Sequence, residues 1–537
     1  MTRPCTSHTI ASGRSAPRSV CVIFAAVLLA GVPVDASPLR AQATPPSAAI
    51  QVSAQDVTRQ PIDLPGAQEP HTPAALNRAL AFRYYLPGAP PPSTVLVLNS
   101  GIGSGVNTMD LLARALVTVP GHEVWVVTRR SALLQDNRGI AAAVAYGNPD
   151  FALGYYYGNL QIDGHTFRHL TTADVAFAAY WGLDVHLRDI RAIVQEVHRR
   201  YPLARIVLGG HSLGGILAAL YAGYDFGRVP GVLAATDVAE DIGARDLSGL
   251  LLLDGLPINI RLLTAPNRYL HGFWLPTIGR IPGVNDLTSA DPRRQVWPFL
   301  QTHRLHRTEQ SILFEVLCAY AYLRPGEASY FPYYPRRGLA ITNDALLAAV
   351  LSDQMQPDLL IRATIPPPLG VFQRVLDPAG LNPRGLLDLQ TGQPMPGEPV
   401  IRVAPDDPHA PPRVSLRTLL GAILRPGADF TQWYLPWRLV LDVGLAADLQ
   451  PSTPFARQFV GLTHMRDTAL PVLIVGAGHG LIRSSEMTRF YESNISTPPA
   501  HVTVIILDDY THFDLEVATP NPAIPLILAW LAREMGP

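Results

Sequence analysis

Ile206-Val207-Leu208-Gly209-Gly210-His211-Ser212-Leu213-Gly214-Gly215 is the stretch on which the fold turns. Three apolar residues lead into a glycine pair, and a second glycine pair opens an apolar run, Ile216 to Tyr221. The first part reads as a buried strand and the last as a buried helix. Gly210-His211-Ser212-Leu213-Gly214 fits the pattern G-x-S-x-G, in which a serine sits at the apex of a sharp strand-to-helix turn. Such a turn strains the backbone at the serine and leaves no room for side chains two residues either side, hence Gly210 and Gly214. The helix that follows points its N-terminus at the serine oxygen and favours negative charge there. Ser212 is therefore a candidate nucleophile rather than a plain capping serine. His211, inside the pattern, occupies a variable position and is not expected to be the base.

Upstream, Leu183 to Arg200 is an amphipathic helix with Leu187, Ile190, Ile193, Val194 and Val197 on one face. Thr94 to Leu98 and Glu123 to Val127 read as buried parallel strands, with a helix from Met109 to Val117 between them. Ile50 to Val57 and Ala79 to Leu86 read as an opening hairpin, and the proline-containing segment between them (Pro61, Pro65, Pro70, Pro73) as loop. Downstream, Gly249 to Leu253 is a strand ending in Asp254-Gly255. Pro471 to Gly476 resumes the sheet, a helix spans Ser485 to Glu492, Val502 to Ile506 is the last strand, and a helix from Ile524 to Glu534 closes the chain. Strand and helix in alternation predict an α/β architecture, a doubly wound and mostly parallel sheet.

Two long stretches interrupt the alternation. Leu256 to Thr468 is rich in proline and aromatics and low in charge, and it includes helical patterns at Asp344 to Leu351 and Leu416 to Leu424. It reads as a large, mainly helical cap inserted after strand six. A smaller insertion lies between Ser131 and Asp174 and carries Tyr155-Tyr156-Tyr157. The expected organisation is 1–43 signal peptide and start of linker, 44–255 first part of the core, 256–468 cap, and 469–537 second part of the core.

Acyl transfer at Ser212 needs two N–H groups aimed at the developing oxyanion. One comes from the residue after the nucleophile, Leu213, and the other from the loop after an earlier strand. Asn99-Ser100-Gly101-Ile102-Gly103-Ser104-Gly105 occupies that place, and Ile102 is the candidate second donor. The glycines there do not suggest a phosphate site, because no lysine follows and no acidic residue lies at dinucleotide spacing.

Composition agrees with a large buried core. Of 537 residues, 48% are hydrophobic and 16% charged, and the net charge is −1, which gives no reason to expect nucleic acid or an anionic surface as partner. All 42 basic residues are arginine, and the 51 prolines point to long irregular segments. Arg3, Arg14 and Arg18 precede an apolar run, Val20 to Val32, and small residues follow at Val34-Asp35-Ala36 and Ala41-Gln42-Ala43. This predicts a secretory signal, cleaved near Ala36 or Ala43. Cys5 and Cys21 would leave with it, so the mature chain keeps Cys318 alone and is expected to hold no disulfide. Asn494-Ile495-Ser496 fits a glycosylation sequon.

The turn at Ser212, the glycine loop Ser100 to Gly103 and the segment Tyr510-Thr511-His512-Phe513-Asp514 together resemble the α/β-hydrolases. Trp181 to Asp189 and Gly209 to Gly215 are similar to secreted lipase-like members. The resemblance covers Ile50 to Asp254 and Pro471 to Trp530. It implies a serine nucleophile, an acid and a histidine base in the chain order Ser, Asp/Glu, His, with His512 at the place of the base. Many members carry the acid after the strand seen here as Leu473 to Val475, but Gly476-Ala477-Gly478-His479-Gly480 holds no carboxylate. Others carry it one strand earlier, where Asp254 stands. Glu486, Asp508, Asp509 and Asp514 are its competitors.

The expected function is that of a secreted or periplasmic serine hydrolase on carboxylic esters, with small-molecule or lipid substrates and transient contact with a lipid interface. No metal or cofactor is implied. Acyl transfer and thioester cleavage use the same groups. A silent member of the fold, binding apolar ligands, is the alternative that the missing carboxylate after Val475 supports. A fluorophosphonate probe separates the two.

Overall fold

The computed structural model describes residues 56–227, 241–258, 265–275, 279–291, 293–301, 308–331, 340–353, 361–365, 372–375, 400–403, 414–447, 449 and 454–536. The expected signal segment, the expected strand Ile50 to Val57 apart from its last two residues, and parts of the 256–468 insertion lie outside them.

Eight strands form the main sheet: β1 (Thr58–Pro65), β2 (Arg78–Tyr85), β3 (Thr94–Asn99), β4 (His122–Thr128), β5 (Arg205–His211), β6 (Gly249–Leu253), β7 (Val472–His479) and β8 (Val502–Thr511). Their order is β1-β2-β4-β3-β5-β6-β7-β8. β1 and β2 are antiparallel to each other, and β2 runs antiparallel to β4. From β4 to β8 all pairs are parallel. The sheet is thus doubly wound and mostly parallel, as the alternation predicts.

The strand boundaries explain the differences from expectation. The first hairpin strand is Thr58–Pro65, so the stretch with Pro61 and Pro65 is strand and not loop. β1 is an edge strand, and an edge tolerates residues that cannot donate to a ladder. β8 runs on to Thr511, which puts Asp508 and Asp509 on an exposed strand end rather than in the loop with His512.

Strand side chains alternate between two cores. Val95, Val97, Ile206, Leu208, Leu250, Leu252 and Ile474 pack with Leu187, Ile190 and Val194 of α4 (Leu183–Arg200) and Leu217 of α5 (Leu213–Ala222). Leu96, Leu98, Val207, Leu251, Leu253, Leu473 and Val475 pack on the other face, with Leu112 and Leu116 of α1 (Asp110–Val117) and Ile527 and Trp530 of α10 (Ala523–Met535). Central strands buried on both sides explain why their sequences are unbroken apolar runs.

The two insertions share a third core. Ala143 of α2 (Arg138–Ala145) and Tyr155 and Tyr156 of α3 (Asp150–Tyr157) join Ile312 and Val316 of α6 (Thr308–Leu323) and Leu419 and Leu420 of α7 (Leu416–Ile423). Trp433 and Phe513 belong to the same cluster, so the residue after His512 anchors this layer. α8 (Trp437–Ala446) instead packs its Leu439 and Val440 into the core of α4. Among the described residues the large insertion holds, besides its helices, an antiparallel strand pair, Phe273–Leu275 with Gly279–Ile281, and a three-stranded sheet of Phe372–Val375, Val400–Val403 and Ala340–Ile341.

Candidate active site

Strand register brings the candidate residues to one edge. Asn99 pairs with Gly210, His211 with Leu253, and His479 with Thr511. Ser100, Ser212, Asp254 and His512 are each the next residue beyond a paired strand end, so all four leave the same carboxyl edge of the sheet.

Ser212 sits between β5 and α5 with φ 55° and ψ −121°, a conformation costly for a residue with a Cβ. Its N–H donates to the Leu253 carbonyl at 2.9 Å, which fixes the turn against β6. Its side chain makes no capping hydrogen bond to α5, so the capping role is not the one it plays. A Cβ on Gly210 would stand 2.3 Å from the Asn99 carbonyl oxygen, and one on Gly214 only 1.9 Å from it. Both glycines are thus required by the end of β3 packed across the turn, not only by crowding within it. Leu213 opens α5, where first-turn N–H groups have no partner inside the helix.

His512 is buried, and its Nδ1 donates to Asp254 Oδ2 at 2.6 Å. That bond leaves Nε2 as the imidazole nitrogen free to accept a proton. Among the described residues no hydrogen bond joins Nε2 to Ser212 Oγ, a contact that in ligand-free sites often tightens only with substrate. Asp254 is fully buried. Its Oδ1 also accepts from Ala477 N–H (3.2 Å) and Ile482 N–H (2.7 Å), and its Oδ2 from Leu481 N–H (2.8 Å). The glycine-rich loop that carries no carboxylate therefore wraps the one provided by β6. A Cβ on Gly480 would stand 2.1 Å from Asp254 Oδ2, so this approach requires glycine.

The competing carboxylates lie elsewhere. Glu486 is exposed near Arg489, and Asp508 and Asp509 are exposed. Asp514 is buried but accepts from Thr511 N–H and from Thr364 N–H, both at 2.8 Å, and from the Thr364 hydroxyl.

Burial lowers the His512 pKa below the ordinary histidine value, and the neighbouring His211 ring acts in the same direction. The two ring centroids are 4.2 Å apart.

The glycine loop passes directly over Ser212, where a Cβ on Gly101 would come within 3.1 Å of the serine Cβ. Arg129, just past β4, was not singled out by the sequence, yet its guanidinium holds this loop. It donates to Ser100 O at 2.6 Å, Gly101 O at 3.0 Å and Gln432 Oε1 at 2.8 Å. Burial pushes the guanidinium pKa down to about 10, which leaves it charged at neutral pH. In a trans peptide the N–H points opposite to the carbonyl. With the Gly101 carbonyl turned to Arg129, the Ile102 N–H points away from Arg129. The large insertion backs the same loop, with Gly105 N–H donating to Phe430 O at 2.6 Å and Gln432 N–H to Gly103 O at 2.8 Å.

No protein-family profile and no curated protein sequence matches the chain. Solved structures do. A candidate lipase from Sulfolobus solfataricus is similar at 15% identity and a TM-score of 0.45, over 89% of this chain and 95% of its own. A soluble variant of monoglyceride lipase from Saccharomyces cerevisiae is similar at 11% identity and a TM-score of 0.33, over 85% and 92%. A thermophilic esterase from Thermogutta terrifontis is similar at 11% identity and a TM-score of 0.33, over 89% and 99%. Those activities are statements about those proteins. By the order of its eight strands and the strained serine turn between β5 and α5, the chain has the α/β-hydrolase fold.

Proposed function

We propose that this protein is a serine hydrolase that cleaves carboxylic esters through an acyl-enzyme and is exported through its N-terminal segment. The observation that carries the reading is the buried Asp254–His512 pair at 2.6 Å, on the sheet edge where Ser212 leaves β5. A histidine whose Nδ1–H is held by a carboxylate keeps Nε2 available as a general base. In this mechanism Ser212 Oγ attacks the ester carbonyl while His512 Nε2 takes its proton. The tetrahedral oxyanion is held by the N–H groups of Leu213 and Ile102. His512 then gives the proton to the leaving alcohol, and water hydrolyses the acyl-enzyme by the same route. The low charge and the aromatic content of the 256–468 sequence favour an apolar acyl group as substrate.

The test is labelling of the intact protein with a fluorophosphonate, followed by peptide mapping. Modification of Ser212 is expected, with turnover of p-nitrophenyl esters across a chain-length series. No labelling at Ser212 and no turnover would leave the fold as a binding protein. Export has its own check. N-terminal sequencing of secreted material should begin after Ala36 or Ala43, and an intact Met1 would refute the signal.

Arg129→Gln should reduce kcat by about 10²-fold and change KM little, because a misplaced oxyanion donor weakens the transition state more than the ground state. Steady-state kinetics on one ester, with the melting temperature recorded alongside, checks it. A change in KM alone would show that Arg129 does not act through the loop.

A further inference from the structure

His211 and Glu516 form a second histidine–carboxylate contact beside the first. Both side chains are buried. His211 Nε2 stands 2.8 Å from the His512 carbonyl oxygen, which accepts, so Nε2 carries a hydrogen. On the other side of the ring, Nδ1 faces Glu516 Oε1 at 3.1 Å, an ion-pair distance, although the angle is not that of a hydrogen bond. Neither Glu516 oxygen has a hydrogen-bond partner among the described residues. Two bare lone pairs do not stay in contact in a dry interior, so a proton belongs to this pair. A buried carboxylate with no other partner is costly unless a charge answers it.

We propose that His211 and Glu516 are a positioning pair for the His512 base: they share one proton, tether the His512 backbone, and hold positive charge beside its imidazole. The inference rests on the hydrolase reading for its catalytic consequence and on geometry alone for the pair itself.

The charged and titratable groups around the two rings come from four elements. Asp254 follows β6 and His211 ends β5. Glu516 lies on α9 (Asp514–Val517), and Arg129, which follows β4, acts on Glu516 electrostatically. Asp514, on the same short helix, is turned to Thr511 and Thr364 instead. Burial alone would keep His211 neutral, but Glu516, with Asp254 and the His512 carbonyl acting in the same sense, outweighs it, and the net direction of the His211 pKa is up. A cationic His211 at 4.2 Å then disfavours a second proton on His512, whose pKa moves down. Glu516 acts on His512 in the opposite sense, and the His211 influence is the larger. The His512 base thus stays unprotonated to lower pH than an ordinary histidine would.

Glu516→Gln removes the charge that keeps His211 cationic. His512 should then titrate higher by about one pH unit. Two readouts test this. In 15N-histidine-labelled protein, the His512 resonances should titrate below the ordinary histidine pKa in the parent and about one unit higher in the variant. The acid limb of kcat/KM for a p-nitrophenyl ester should move alkaline by the same amount. The double variant His211→Gln/Glu516→Gln carries neither charge and should match Glu516→Gln in both, which also covers the case where one single variant folds poorly. A His512 titration in Glu516→Gln that stays where it was, or one that moves down, overturns the proposal, as does a variant that only lowers the melting temperature. If the parent shows no esterase activity and no fluorophosphonate labelling, the hydrolase reading fails, and the NMR titration still decides the pair.

Discussion

Ser212→Ala should lower ester turnover by about 10⁶-fold and abolish fluorophosphonate labelling. The rate loss should come without loss of fold. Ser212 makes its structural contribution through the backbone: its N–H bonds Leu253 O and its carbonyl accepts from Ile216 N–H at 3.2 Å. Its hydroxyl caps no helix, and an alanine Cβ occupies the same space at the same positive φ. The melting temperature should therefore stay within about 2 °C of the parent. The residual rate should remain above that of the uncatalysed ester, because the Leu213 and Ile102 N–H groups and the binding surface are untouched. Turnover by the variant within tenfold of the parent would remove Ser212 from the mechanism. So would probe labelling at another serine.

What the sequence makes legible follows from where each residue's environment is decided. The runs Val95 to Leu98, Val124 to Val127 and Leu250 to Leu253 lie in the middle of a sheet with helices on both faces, so burial on both sides is written locally as unbroken apolar residues. The serine turn is legible because Gly210, Ser212 and Gly214 fall within five residues, although the Asn99 carbonyl that also demands the glycines lies on another strand. The ends of the sheet are less so. β1 has an open edge, and the prolines that mark it as loop are tolerated there. β8 carries Asp508 and Asp509 at an exposed end, where composition no longer distinguishes strand from loop.

Arg129 and Glu516 were missed because their roles are set by contacts between distant segments. Each left a trace. Arg129 follows directly on a buried strand, where a charge must find partners, and Glu516 stands between the buried Leu515 and Val517 on a short helix. Neither trace names the partner. The Ser100 and Gly101 carbonyls and the His211 ring become partners only once β3, β4 and β5 are in register beside the His512 loop.

Asp254→Asn should lower kcat by about 10³- to 10⁴-fold and also destabilise the protein, because the carboxylate is surrounded by donors on both sides. Oδ1 accepts two backbone N–H groups, from Ala477 and Ile482. Oδ2 accepts Leu481 N–H and His512 Nδ1–H. An asparagine amide must present its NH2 to one of these sides. Facing Ala477 and Ile482, it meets two N–H donors that cannot turn away. Facing Leu481 and His512, it meets one such donor and an imidazole that can change tautomer. The second arrangement costs less, and in it His512 Nδ1 accepts from the amide while Nε2 carries the hydrogen. A base whose Nε2 is already protonated cannot take the proton of Ser212, which is the origin of the rate loss. Leu481 N–H loses its acceptor in a buried site, at about 1–3 kcal/mol, so the melting temperature should fall by several degrees. KM should change little. Raising the pH should restore part of the rate, as hydroxide comes to do the work of the misoriented base. If Asp254→Asn keeps turnover within tenfold of the parent while Asp514→Asn or Glu486→Gln abolishes it, the acid lies elsewhere and the contact between Asp254 and His512 serves only the fold.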